Sequence, residues 1–227
     1  MTTDEGPGDL GGILELADWR RSVAALYAEV RRLAASEPAA ALAHWRTTRE
    51  ALYREHPQSP VPASERAAFR ARHFDHDPAL RFEVRVEDPA EARRPAAPGL
   101  GLLGGMSIEL PVSVGGAMSF RRVGTIEVPF AEGRRRLELY WMAGYAGGLF
   151  LPFRDGTNGM ETYGAGRYLL DAAKSADLGR GREPSTLVLD FNFAFQPSCA
   201  FDPKFACPLA PPANRLDVPV RAGERIA

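Results

Sequence analysis

The strongest constraint on the fold is a change of hydrophobic period across a segment that no helix can cross. Ile13, Leu16, Val23, Leu26, Tyr27, Val30 and Leu33 gather on one helical face. Ser36 is placed to cap a second helix, with Glu37 and Pro38 in its first turn and a stripe of Leu42, Trp45, Thr48 and Leu52. The run His56-Pro57-Gln58-Ser59-Pro60-Val61-Pro62 then stops helical structure, because proline lacks an amide donor and restricts the residue before it. The two helices are expected to pair, and the run to be an extended connector.

Beyond it the pattern is that of strands. Segments 82–87, 107–114, 118–130, 136–142, 148–153, 166–170, 186–194 and 216–220 are short, β-favouring and punctuated by Gly, Pro or Asp. Residues 88–99 form a loop rich in Pro, Ala and Arg. The expected class is α+β: a helical segment and connector over residues 1–62, then a mainly antiparallel β barrel or sandwich over 63–227. In the strand from Leu187 to Phe195, alternation puts Leu187, Leu189, Phe191, Phe193 and Phe195 on one face, and Asp190 and Asn192 together on the other. That second face is either solvent surface or the polar lining of a cavity.

Bulk properties narrow the function classes. A chain of 227 residues with 45% hydrophobic content can bury a sizeable core, and its formal net charge of −1 argues against nucleic acid as a partner. Lys174 and Lys204 are the only lysines among 28 basic residues, a bias of composition more than of chemistry. The N-terminus is acidic and polar where a secretory signal is basic and then apolar, and no stretch approaches the length of a membrane span. A cytoplasmic protein without a membrane partner is expected. In that compartment Cys199 and Cys207 are expected to be reduced.

Candidate chemistry concentrates in residues 153–224. Between Phe153 and Tyr168, glycines that tolerate tight turns alternate with Asp155, Thr157, Glu161, Tyr163 and Arg167. Glu161, Asp190 and Tyr163 are candidate acid or base groups, and Asp155, Thr157, Arg167 and Asn192 are candidate ligand contacts, Arg167 being suited to a carboxylate or phosphate. Turn formation at Asp155-Gly156 and a Glu161–Arg167 pair account for the same residues structurally. The motif is not a phosphate-binding fingerprint, because Gly164-Ala165-Gly166 lacks the third glycine and the strand-to-helix context. Cys199 and Cys207, seven residues apart, leave a bridge, a redox pair, metal ligation or inert buried thiols open. Zinc would need further ligands, the nearest being His73, Asp75, His76 and Asp77, and no metal site is assigned. No serine nucleophile elbow or zinc-protease helix occurs.

These residues resemble the bacterial family known as domain of unknown function 1684. The resemblance rests on the run from Phe153 through Asp155, Thr157, Gly159, Glu161-Thr162-Tyr163-Gly164 and Gly166-Arg167-Tyr168-Leu169. It continues in Leu189-Asp190-Phe191-Asn192, Pro197, Cys199-Ala200-Phe201, Cys207-Pro208-Leu209, Asn214, Leu216 and Ala222-Gly223-Glu224. Asp18-Trp19-Arg20-Arg21 and Trp45-Arg46 match more loosely. Asn158 stands where a small Ser-like residue is expected, and His73 and His76 where tyrosine is. The resemblance implies that the loop, the Asp190 strand and the two-cysteine segment form one signature, and it assigns none of them a role.

The leading expectation is a cavity for a small polar or anionic organic molecule, lined by Arg167, Tyr163, Glu161, Asp190 and Asn192, with acid–base chemistry where turnover follows. A redox or metal-binding protein centred on the cysteines is the first alternative. The second is an interaction module, a homo-oligomer through the N-terminal helices. The sequence specifies no cofactor.

Overall fold

The computed structural model describes residues 10–87, 107–144 and 147–226. The loop expected over 88–99 lies outside the described residues. Two helices, α1 (Leu10–Ala34) and α2 (Pro38–Glu55), form a hairpin, fastened where Trp45 Nε1 donates to the Tyr27 hydroxyl at 3.1 Å. The cap differs from expectation: Glu37 is the N-cap of α2 and makes no side-chain cap bond, and Pro38 opens the helix, where its missing amide costs nothing. His56 ends it in extended conformation. In the connector, Ser59 Oγ donates to the Tyr53 carbonyl and accepts from the Val61 amide, closing a turn that the prolines pre-shape.

The chain then forms β1 (Arg72–His73), β2 (Arg81–Glu87), β3 (Ser107–Pro111), β4 (Ala117–Phe130), β5 (Gly133–Met142), β6 (Gly148–Phe153), β7 (Arg167–Asp171), β8 (Thr186–Asp190) and β9 (Glu224–Arg225). Seven of these form one antiparallel sheet, curled as a half-barrel, in the order β7-β6-β5-β4-β2-β8 with β3 beside the first half of β4. The short β1 pairs with β9, tying the chain's end to the connector. Beyond β8, Phe195 exchanges both backbone hydrogen bonds with Tyr168 of β7, so the two ends of the sheet approach each other.

Alternation gives each face its own core. On β5 and β6, Leu137, Leu139, Leu151 and Phe153 join one cluster, while Tyr140 and Phe150 join another that the helices cover with Tyr27, Val30, Leu42 and Trp45. The α+β expectation and the half-barrel agree.

Two expected strands are corrected. β8 stops at Asp190, and residues Phe191–Phe193 form a 3-10 turn capped by the Asp190 carboxylate, which accepts from the Asn192 amide at 3.0 Å. The turn rotates the chain, so Phe191 packs in one core and Phe193 and Phe195 in the other instead of sharing a face. Residues 216–220 keep their alternation, with Leu216, Val218 and Val220 buried, but they bond to the loop at Arg154 and Gly156 and make no ladder.

Asn214 shows why that tail is buried. Its side chain takes the place of a rung between β5 and β6, accepting from the Glu138 amide at 2.8 Å and donating to the Glu138 and Pro152 carbonyls at 2.9 and 2.8 Å. Asn214→Ala should leave those groups unpaired in a dry site and lower the unfolding free energy by about 2 kcal/mol, read from the denaturant midpoint.

Candidate functional site

Arg167 opens β7 with its side chain 0% exposed, as is that of Asp155. Nη2 donates to Asp155 Oδ2 at 2.9 Å and to the Val220 carbonyl at 2.8 Å. Nη1 donates to the Glu224 carbonyl at 3.1 Å and to that of Ala222. Asp155 Oδ1 accepts from the Thr157 amide and hydroxyl at 2.7 and 2.5 Å, and Thr157 bonds onward to Thr162 at 2.8 Å. In this arrangement Asp155, Thr157 and Arg167 bind the chain to itself: a charged fork clasps the carbonyls of the C-terminal tail. Gly223 permits the tail's path, for at φ +77° a Cβ would stand 2.4 Å from the Ala194 carbonyl oxygen. Glu161 does not meet Arg167; it pairs with Arg221 at the surface, Nε lying 3.0 Å from both carboxylate oxygens.

Asp190 and Asn192 do come together, through the turn and not through strand alternation. Asp190 Oδ1 accepts from Asn192 Nδ2 at 2.8 Å, and Oδ2 accepts from Arg81 at 3.0 Å. The Asn192 amide group then exchanges hydrogen bonds with the Asp77 backbone at 2.9 and 2.8 Å. This set is separate from that of Arg167.

The third part of the signature forms a different kind of cluster. Cys199 and Cys207 are free thiols, each 6% exposed. The Cys199 amide donates to Cys207 Sγ at 3.2 Å, and the Cys207 amide donates to Ser113 Oγ at 3.1 Å. The neighbouring Cys207 thiol first, then the Ser113 and Tyr163 hydroxyls, bring the Cys199 thiol down to about 6. The Cys207 thiol moves up, chiefly because its proton is shared with Cys199. Burial and the neighbouring Cys199 sulfur raise the Tyr163 hydroxyl to about 12. Tyr168 stands on the far side, its hydroxyl donating to the Pro208 carbonyl at 2.6 Å.

Sequence reasoning missed two charged sites. Glu224 and Arg49 form a buried pair, Nε to Oε1 at 2.5 Å, and Glu224 also accepts from the Gln196 amide at 2.7 Å. The Arg49 guanidinium lies over the Tyr53 ring at 4.4 Å. Only the recurrence of Ala222-Gly223-Glu224 signalled it. The second is a cleft of 470 Å³ beside α1, walled by Arg31, Arg81, Arg180 and Arg182 and floored by Phe82, Leu178 and Val188. Its arginines are scattered along an arginine-rich chain, so no local motif announces them.

The expected apolar face of α1 divides. Leu26, Tyr27 and Val30 are buried, whereas Ile13 and Leu16 are 60% and 48% exposed, beside a groove between the helices. Among the described residues no group of three or more His, Cys, Asp or Glu could hold a metal ion, and no helix is long and apolar enough to cross a membrane.

The fold and the clasped tail define an α+β half-barrel protein with a helical cover. The family model described as Protein of unknown function (DUF1684) matches residues 69–225, and the chain belongs to that family. An uncharacterized protein of Haloarcula marismortui, known from a solution NMR structure, is 33% identical, with a TM-score of 0.55 and coverage of 80% of this chain and 90% of that one. No curated protein matches the chain.

Proposed function

We propose that the protein binds a small organic anion with an apolar body, in the arginine-walled cleft beside α1. The reading is carried by one observation: Arg180 and Arg182 wall an apolar floor, and neither guanidinium is within salt-bridge distance of a carboxylate among the described residues, the charge of Arg182 reaching Glu83 only at longer range. Glu83, the one carboxylate in the wall, is already engaged by the Arg182 amide, the Glu183 amide and the Thr186 hydroxyl, which hold its pKa below the usual range. Arg31 and Arg81 are oriented by the Asp177 carbonyl and by Asp190, so two cations are fixed and two are free to close on a ligand. Four arginines and one glutamate around Phe82, Leu178 and Val188 suit an anion with an apolar body, of aryl-carboxylate dimensions. The proposed site lies apart from Arg167, whose Nη1 and Nη2 donate to Asp155 and three carbonyls of the tail and whose Nε is buried without a partner.

The test is a titration of the full-length protein with phenylpropionate, and separately with inorganic phosphate, followed by backbone amide NMR. Saturable shifts confined to residues 178–188 and the end of α1 are expected for the aryl carboxylate, weaker at high salt. Arg180→Ala with Arg182→Ala should weaken binding by about tenfold or more, the loss of charge-assisted hydrogen bonds. Shifts elsewhere, or an affinity untouched by the double substitution, would rule the cleft out.

A further inference from the structure

The two cysteines form a built site that the anion cleft does not use. The two residues are in contact: Cys207 Sγ accepts the Cys199 amide at 3.2 Å, and each thiol shifts the other's titration, Cys199 down and Cys207 up. The span between them is turned back on itself at Asp202, where the Lys204 and Phe205 amides bond to the Asp202 side chain and carbonyl, and this turn delivers the second sulfur to the first. Three hydroxyls surround the pair, those of Ser113, Tyr163 and Tyr168. The Lys174 ammonium, held by Asp171 at 2.9 Å, adds a positive field at Cys207. Both cysteines belong to the helix-covered core, where buried thiols are ordinarily inert; the hydroxyls and the ammonium beside them set this pair apart.

We propose that Cys199 and Cys207 are a reversible dithiol–disulfide pair whose oxidant is a small hydroperoxide, with Cys199 as the attacking sulfur and Cys207 as the resolving one. The Cys199 thiolate attacks one peroxide oxygen; the S–O bond forms as the O–O bond breaks, and the departing alkoxide takes a proton and leaves as the alcohol. Cys207 then attacks the sulfenic sulfur. The S–S bond forms, the S–O bond breaks, and the leaving hydroxide with the Cys207 proton becomes water. Two thiols are oxidised by two electrons and one hydroperoxide is reduced; a low-molecular-weight thiol returns the disulfide to the dithiol by exchange.

Three features favour this assignment of roles and oxidant. Cys199 has the Cys207 thiol and the Ser113 and Tyr163 hydroxyls as neighbours, which favour its thiolate and bring its thiol down to about 6. The Cys207 thiol is pushed up by its neighbour Cys199, the order a resolving cysteine requires. At 6% exposure each, the cysteines favour a small oxidant over a bulky disulfide.

The experiment is stoichiometric hydrogen peroxide added to the reduced, folded protein, with intact mass and alkylation read before and after. The expected result is loss of two hydrogens, loss of both alkylation sites on subsequent unfolding, and recovery of both with a small thiol. Cys207→Ser should instead hold a sulfenic acid at Cys199 that dimedone traps, and Cys199→Ser should not react. Tyr163→Phe, which keeps the ring packing, should slow oxidation about tenfold by removing one hydrogen bond to the thiolate. If a serine variant fails to fold, peptide mapping of the oxidised wild type still decides. Thiols inert to peroxide until the protein unfolds, or sulfonic acid accumulating without a crosslink, would overturn the proposal; reaction with a small disulfide but not with peroxide would overturn the oxidant.

Discussion

Arg167→Met is expected to lower the unfolding free energy by about 3–5 kcal/mol, the range for removing one partner of a buried ion pair. The size follows from what remains behind. Asp155 keeps a carboxylate oxygen in a site with no solvent, and the carbonyls of Val220, Ala222 and Glu224 lose their donor together. Methionine fills the volume, so the loss is of charge and hydrogen bonds and not of packing. Arg167→Lys should rescue little, because a single ammonium cannot span Asp155 and three carbonyls as the planar fork does. Urea denaturation with an unchanged slope would measure it. A single variant within about 1 kcal/mol of wild type would mean that the clasp on the tail is incidental.

The clasp also explains what the sequence disclosed and what it hid. The helices were legible because their partner is a whole face: Tyr27, Val30, Leu42 and Trp45 recur at helical spacing and all reach one core. Most of the sheet was legible for the same reason at period two. The end of β8 was not. Phe191, Phe193 and Phe195 keep strand alternation in the sequence, yet each core claims its own phenylalanines, and the local event that separates them is a carboxylate cap on a turn of three residues. Alternation reports burial and cannot say which core does the burying.

The same limit applied to the site. Asp155, Thr157 and Arg167 were singled out together and do meet, but a polar residue needed for a ligand and one needed by buried carbonyls have the same appearance in a sequence. What distinguishes them is where the tail at residues 214–224 runs, and that path depends on Gly223, Asn214 and the bulk of the sheet core. The cysteines were recognisable as a pair, whereas Ser113, whose hydroxyl accepts from the Cys207 amide and donates to the Phe205 carbonyl, comes from the turn before β4 and carried no signal.

His73 yields the second large expected effect, on the pH dependence of stability. It pairs with Glu224 in the β1–β9 ladder, meets the Trp45 ring edge-on at 5.6 Å, and its Nε2 is buried without a hydrogen-bond partner. Burial, with Arg46 and Arg49 close by and Glu224 opposing, brings its pKa from 6.5 down to about 4. Between those values the unfolded chain takes up a proton that the native chain refuses. Stability from this residue is therefore full above pH 6.5 and lost as pH falls toward 4, by about 3 kcal/mol in all. His73→Phe keeps an aromatic ring against Trp45 and removes the proton. The difference in unfolding free energy between wild type and variant should shrink or reverse on going from neutral to acid pH, while carboxylates shared by both chains cancel. Two parallel stability curves would show that the imidazole is protonated as readily in the fold as in the unfolded chain. A narrowing gap would locate the acid sensitivity of the β1–β9 closure at one ring, packed where the helices, the connector and the C-terminal tail meet.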